Sequence, residues 1–248
     1  DFIGSVSVSN VRDVSLKDKN SMVLGQQAIS GNLSATAVSG VVSDSAAINV
    51  TGTTEIVAGT KILINAVGHD FVGAVSMTGA DSTLRDGNSL TLGSVDLSGA
   101  MTLYAQGTVT GTSVIEVDLA SLVNAGGNDI NLGNTQNDFV GLLTLEQAKN
   151  ITIVDKNALA FSGNAAGIGS DLILTAGGAL ELSHGVSSVD DITLVANGIS
   201  FGQSTVGGDL VVNATGGGGA ITQRQQTLDG IQHDSILRIS GASNITAD

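Results

Sequence analysis

The chain has 248 residues, a net charge of −14 and a pI near 4.2, the wrong sign for neutralising phosphates, which excludes nucleic acid and an anionic membrane surface as partners. Cysteine is absent, so disulfides, thiolate metal sites and thiol catalysis are excluded as well. With 34 Gly, no Pro and only five Phe and one Tyr, the 42% of apolar residues must pack as aliphatic layers of similar size, and 13% charge with positive mean hydropathy describes a chain that folds.

Asp1-Phe2-Ile3-Gly4 opens the chain, and Val6 and Val8 then alternate with Ser5, Ser7 and Ser9. Asp18-Lys19-Asn20 follows, leading into Met22 and Leu24; Asn32 to Ala37 and then Ile62 and Ile64 continue the alternation. The opening box returns as Asp70-Phe71-Val72-Gly73, and the second marker returns as Asp86-Gly87-Asn88 before Leu90 and Leu92. Both return again, as Asp138-Phe139-Val140-Gly141 and as Asp155-Lys156-Asn157 before Leu159 and Phe161. The two markers move together, the box from Asp1 to Asp70 to Asp138 and its companion from Asp18 to Asp86 to Asp155, and this shared phase defines a true internal repeat. In the last third a shorter cadence is plain: units start at Asp171, Asp191 and Asp209, each reading as strand, Gly or Asn turn, strand. The turns at Gly177-Gly178, Asn197-Gly198 and Gly216 to Gly219 use residues that tolerate positive φ.

Period two means one buried and one wet face, and no stretch carries the 3.6-residue pattern; Leu142 to Lys149 reads as strand plus turn. Strands of about five residues cannot bury a face alone, so the units must stack as coils of a parallel β-solenoid, with two or three strands per coil. Roughly 20 residues per coil and about 4.8 Å between coils predict on the order of 12 coils in a rod about 60 Å long. Proline is absent because each coil pairs on both sides. No apolar run reaches membrane-spanning length, and the chain is expected to be a soluble piece of a longer protein, one continuous solenoid over 1–248 with repeats beginning near 1, 70 and 138. Asn244-Ile245-Thr246 reads as the strand before a further box.

The box Asn137-Asp138-Phe139-Val140-Gly141, the run Asp86 to Leu92, the coil Asp171 to Gly178 and Gly219-Ala220-Ile221-Thr222-Gln223 resemble repeats of filamentous-haemagglutinin-like exoproteins. Those are bacterial surface adhesins exported by two-partner secretion, whose shafts are right-handed parallel β-helices. The resemblance covers nearly the whole chain and implies an all-β, right-handed parallel β-helix; the secretion domain of that family is not recognisable here.

The candidate chemistry is sparse. His69, His184 and His233 each fall at an expected coil corner without a second ligand at metal spacing, and read as solvated turn residues. No nucleophile elbow accompanies the Ser, His and Asp residues. The close acidic pairs are Asp13/Asp18, Asp81/Asp86 and Asp190/Asp191; the first two recur at one repeat position, which points to turn closure and not to a unique catalytic centre. Gly126-Gly127-Asn128-Asp129 only approaches the calcium-binding nonapeptide, which leaves room for weak calcium binding at acidic corners. Gly216 to Gly219 lacks the Lys-Ser/Thr of a phosphate loop, and the Thr-rich stretches and the sequon Asn150-Ile151-Thr152 belong to strands. Phe2, Phe71 and Phe139 share one repeat position and are expected as buried corner aromatics.

These observations lead to a non-enzymatic, secreted, cell-surface shaft of a bacterial adhesin serving attachment or biofilm, with no catalytic, cofactor-binding or metal residues assigned. The expected partner is a host or neighbouring cell surface or extracellular polysaccharide, with scope for end-to-end or lateral self-association. Two alternatives stand beside it: a carbohydrate-binding or carbohydrate-cleaving β-helix, and a surface filament or surface-layer subunit.

Overall fold

The computed structural model describes residues 1–163, 168–183, 186–188, 190–202, 204–215, 220–223, 225–228, 231–234, 237–239 and 243–247. No helix occurs among them. Alternating sequences form the strands: Leu33–Ala37, Ser82–Asp86, Met101–Ala105 and Ile192–Ala196 each bury their first, third and fifth residues and leave the second and fourth half-covered. Each such strand lies parallel to its counterpart one coil away, and the coils have three sides.

On one side, Met22, Val42, Ile62, Ser82, Met101, Ser121, Leu143, Phe161, Leu182, Phe201 and Gln223 pair in succession. A second side stacks Ala35, Ile56, Met77, Val95 and Ile115. The third carries Val109, Ile130, Ile151, Leu172, Ile192, Leu210 and Ser243. The protein is thus a parallel β-solenoid. Ten steps carry the first column from Met22 to Gln223, which is the coil length expected from the sequence. The stack has about ten coils, close to the number expected, and the antiparallel hairpin of Gln225–Leu228 and Ile231–Asp234 leaves the ladder and stretches the last step, Leu210 to Ser243.

Inward residues form one aliphatic core. Phe71 and Phe139 are fully buried, as expected. Phe2 is 40% exposed, a departure from the burial expected of it and shown by its repeat equivalents; it lies outside the paired strands, the first of which begins at Ser5.

The repeat and the coil do not have the same length. From one box to the next the chain climbs three coils and roughly a third of another, so equivalent residues fall on different sides. Phe71 tops the column Ile29, Val50, Phe71. Phe139 tops the column Leu97, Val117, Phe139, and Leu97 itself stands on Gly79 of the second side.

Glycine serves mainly close approach. The expected turn at Gly177 and Gly178 is present as a bend, and it forms without positive φ at either residue. A Cβ on Gly177 would strike the Lys156 carbonyl oxygen in the coil below, so the missing side chain is what lets the corner close. Gly73 and Gly141 of the boxes are pressed in the same way against the backbones of Gly52 and Leu119.

Phe139→Ala should lower unfolding free energy by about 3 to 5 kcal/mol, and Thr102→Pro, in the middle of a strand paired on both sides, by at least the roughly 1 to 3 kcal/mol of a ladder carbonyl left without its donor. Denaturant unfolding monitored by circular dichroism measures both losses.

Candidate functional site

The two repeated markers meet in space. In the first repeat the Asp18 carboxylate accepts the Phe2 N–H at 2.6 Å and the Asn20 N–H at 2.8 Å. In the third, Asp155 accepts the Phe139 N–H at 2.7 Å and the Asn157 N–H at 2.7 Å. The asparagine then reaches back to the aspartate of the box: Asn88 Nδ2 to Asp70 at 2.8 Å, Asn157 Nδ2 to Asp138 at 3.3 Å, and Asn20 Nδ2 to Asp1 at 3.4 Å. A two-residue strand such as Asp70–Phe71 makes few ladder bonds, so its corner is closed by this carboxylate clamp.

The three clamp carboxylates are almost fully covered, yet they titrate differently. The Phe2 N–H, helped by the Asn20 N–H, holds Asp18 below the usual carboxylate range against the opposing effect of burial. Burial dominates at Asp155 and raises it against the Phe139 and Asn157 bonds. Burial raises Asp86 furthest, to about 6. Its Oδ1 accepts a bond from the Asn88 N–H at 3.2 Å, its buried Oδ2 has no hydrogen-bond partner, and the nearby Phe71 and Gly87 N–H groups offset the burial only in part.

His69 is 1% exposed, which corrects its assignment as a solvated turn residue. Its Nδ1 accepts the Ile48 N–H at 2.9 Å, which leaves the proton on Nε2, 3.2 Å from Asp44 Oδ2 in a skewed contact. Burial lowers its pKa, opposed by Asp44. The same office one repeat later belongs to Asn137, whose Oδ1 accepts the Ile115 N–H at 3.0 Å and whose Nδ2 donates to the Leu132 carbonyl. Both residues immediately precede a box, a signal visible in the sequence and missed there. His184 and the side chain of His233 lie outside the described residues, as does Gly216 to Gly219.

The other acidic positions cap corners too. Asp13 accepts the Asn32 N–H, Asp81 the Ala100 N–H, Asp129 the Asn150 N–H, and Asp44 the Asn65 and Ala66 N–H groups, all at about one coil's separation. Asp190 and Asp191 come together with Asp171, their nearest oxygens within 4.8 Å, and Asp191 in turn accepts the Asp209 N–H at 2.8 Å. Outside the clamps, Lys156 bridges Glu116 at 3.0 Å and Asp138 at 3.1 Å, and Arg85 stacks over Tyr104, 4.8 Å from the ring centre. No motif pointed to either pair in advance, since each joins residues brought together only by coil stacking.

A repeat family described as repeats of unknown function (DUF5649) matches residues 11–78 and 79–146, two abutting spans of the repeat length found here. The chain belongs to that family. No curated protein and no solved structure matches it. Each family unit spans one clamp marker and the next box, Asp18 with Asp70 and Asp86 with Asp138, so the corner that joins Asn88 to Asp70 straddles the boundary between the two units.

The raised pKa of Asp86 gives a signed expectation. Its contribution to stability is complete below the ordinary carboxylate range and lost as pH rises through about 6, so Asp86→Asn should narrow the difference between acid and neutral stability and raise the neutral unfolding midpoint. His69 works in the opposite sense: its lowered pKa means stability present at neutral pH and lost on acidification, when the ring would need a second proton where Ile48 donates. His69→Asn should keep neutral stability, as Asn137 does in the next repeat, and remove that acid loss. Unfolding midpoints of both variants across the acid to neutral range check the signs.

Proposed function

We propose that the protein is a structural shaft of a secreted, cell-surface bacterial adhesin of the filamentous-haemagglutinin type, holding a binding element away from the cell in attachment or biofilm. The observation that carries this reading is that the recurring polar groups are committed to the scaffold: Asp18, Asp86 and Asp155 close equivalent corners, and Asp13, Asp44, Asp81 and Asp129 cap others. A catalytic centre needs unequal neighbours held at one place, whereas these carboxylates recur. Continuous parallel ladders on three sides make a rod that resists bending without disulfides, and a charge of −14 keeps neighbouring rods apart. The repeat sets length in units of roughly 16 Å, about three and a third coils at about 4.8 Å each.

A second reading, carbohydrate binding along one lateral side, has a specific feature in its favour. Asn65, Arg85, Tyr104, Asn124 and Glu146 line up outward on successive coils, linked by Arg85 Nε to Asn65 at 3.3 Å and Asn124 Nδ2 to Glu146 at 3.4 Å. The single tyrosine is already covered on one side by Arg85, which leaves little ring for sugar stacking and places this reading second.

The test is attachment by cells displaying the parent protein, intact or with residues 79–146 deleted, in the presence or absence of excess purified segment. A shaft predicts weaker attachment at equal surface abundance after deletion and no competition by the segment. Competition by the segment, or loss of attachment on Tyr104→Ala with the fold intact, would replace the shaft with the carbohydrate-binding reading.

A further inference from the structure

A groove of about 290 Å³ runs along the corner where Asn49 pairs with Asp70. Ala28, half-buried, lies at its base, Asn10, Asn49 and Asp70 are its polar lining, Val72, 62% exposed, is its rim, and the side chains of Ile29 and Val50 beside it belong to the core. Asn10 takes a left-handed φ of 59°, turning the first coil where the groove begins.

The following repeat shows what this corner accommodates. Glu116 pairs with Asp138 as Asn49 pairs with Asp70, and there the Lys156 ammonium sits between the two carboxylates. Lys156 is the middle residue of Asp155-Lys156-Asn157; in the marker belonging to the groove that residue is Gly87. A Cβ at Gly87 would meet one neighbouring atom, the His69 carbonyl oxygen at 3.0 Å, which must give by a few tenths of an ångström to admit a side chain, and no other atom stands in its way. The rest of the seat is retained: Asn88 clamps Asp70 Oδ1 at 2.8 Å, in the manner of Asn157 on Asp138. Among the described residues no ion pair involves Asp70. One repeat therefore carries its own ammonium, and the other keeps the carboxylate and lacks the cation.

We propose that this groove binds a primary alkylammonium group, the nitrogen on Asp70 and Asn49 and the aliphatic stem along Ala28 and Val72. The group is either the side chain of a lysine on a partner or a free aliphatic amine; both present the three N–H donors and the apolar stem that Lys156 presents next door. A quaternary ammonium has no such donors and does not fit. This seat is independent of the shaft reading, since it stands on the difference between Gly87 and Lys156.

The test is titration of the isotope-labelled protein, at constant ionic strength, with putrescine, with Nα-acetyl-lysine methylamide and with choline, followed by nuclear magnetic resonance. Saturable shifts at Asn49 and Asp70 are expected with at least one primary amine, and none with choline. Gly87→Lys and Asp70→Asn should each weaken binding about tenfold or more, with thermal midpoints reporting that the fold survives. Lys156→Gly should open a second seat at Glu116 and Asp138. Preference for putrescine marks a free amine as the source, and preference for the blocked lysine marks a protein side chain. The proposal is overturned if neither amine saturates, if choline shifts the same residues equally, or if binding survives both Gly87→Lys and Asp70→Asn.

Discussion

A parallel solenoid depends on one constraint: inside the stack, each strand must find partners for its N–H and C=O groups in the coils above and below, because water cannot reach them. Proline fails that requirement, and the chain contains none. Corners are where the requirement is hardest to meet, since the strands end and the backbone turns while neighbouring coils stay about 4.8 Å apart. The carboxylates answer it. An aspartate that accepts two backbone N–H groups, as Asp18 and Asp155 do, supplies two acceptors from one side chain where strands as short as two residues supply few. Much of the acidity that a composition argument assigns to solubility thus serves the architecture, and at Asp86 it does so incompletely, with a carboxyl that burial pushes up to about 6.

The mismatch between the repeat, 11–78 and then 79–146, and the much shorter coil gives the rod its surface pattern. Each repeat advances three coils and about a third, so a feature of the sequence reappears on the next side and not above itself. Val72 and Val140, the exposed aliphatic residues of two boxes, are carried in this way onto different sides, 62% and 61% exposed. A chain of such repeats presents equivalent corners around its axis, and any difference between repeats, such as Gly87 against Lys156, becomes a difference between sides.

The fold was legible because its signals are local: period-two alternation, repeated boxes and turns do not depend on knowing which coil lies beneath. The burial of Phe71 and Phe139 followed from their shared repeat position for the same reason. What escaped the sequence was contact between coils. His69 looked like a corner residue open to water, and only the Ile48 N–H one coil below and Asp44 beside it make it a buried acceptor. Comparison of His69 with Asn137 would have suggested a shared acceptor role, although not its burial. Gly177 reads as a turn residue and does stand at a bend, but its missing side chain serves to clear the Lys156 carbonyl oxygen, again a matter of the neighbouring coil. Lys156 pairs with Glu116 across 40 residues, a separation that no short motif encodes.

The absence of native cysteine allows the coil register to be measured by paired cysteine substitution and air oxidation. Thr83 and Thr102 pair directly on adjacent coils, with their side chains on the outer surface. Ser34 and Thr102 occupy equivalent places one repeat apart but stand on different sides, in strands that pair Ser34 with Glu55 and Thr102 with Leu122. The account predicts rapid disulfide formation in the Thr83→Cys/Thr102→Cys variant, whose backbone spacing matches disulfide geometry, and none within a molecule for Ser34→Cys/Thr102→Cys. Intramolecular bonding in the second variant, or its failure in the first with the β spectrum retained, would contradict the coil register and the rotation of the repeat that follows from it.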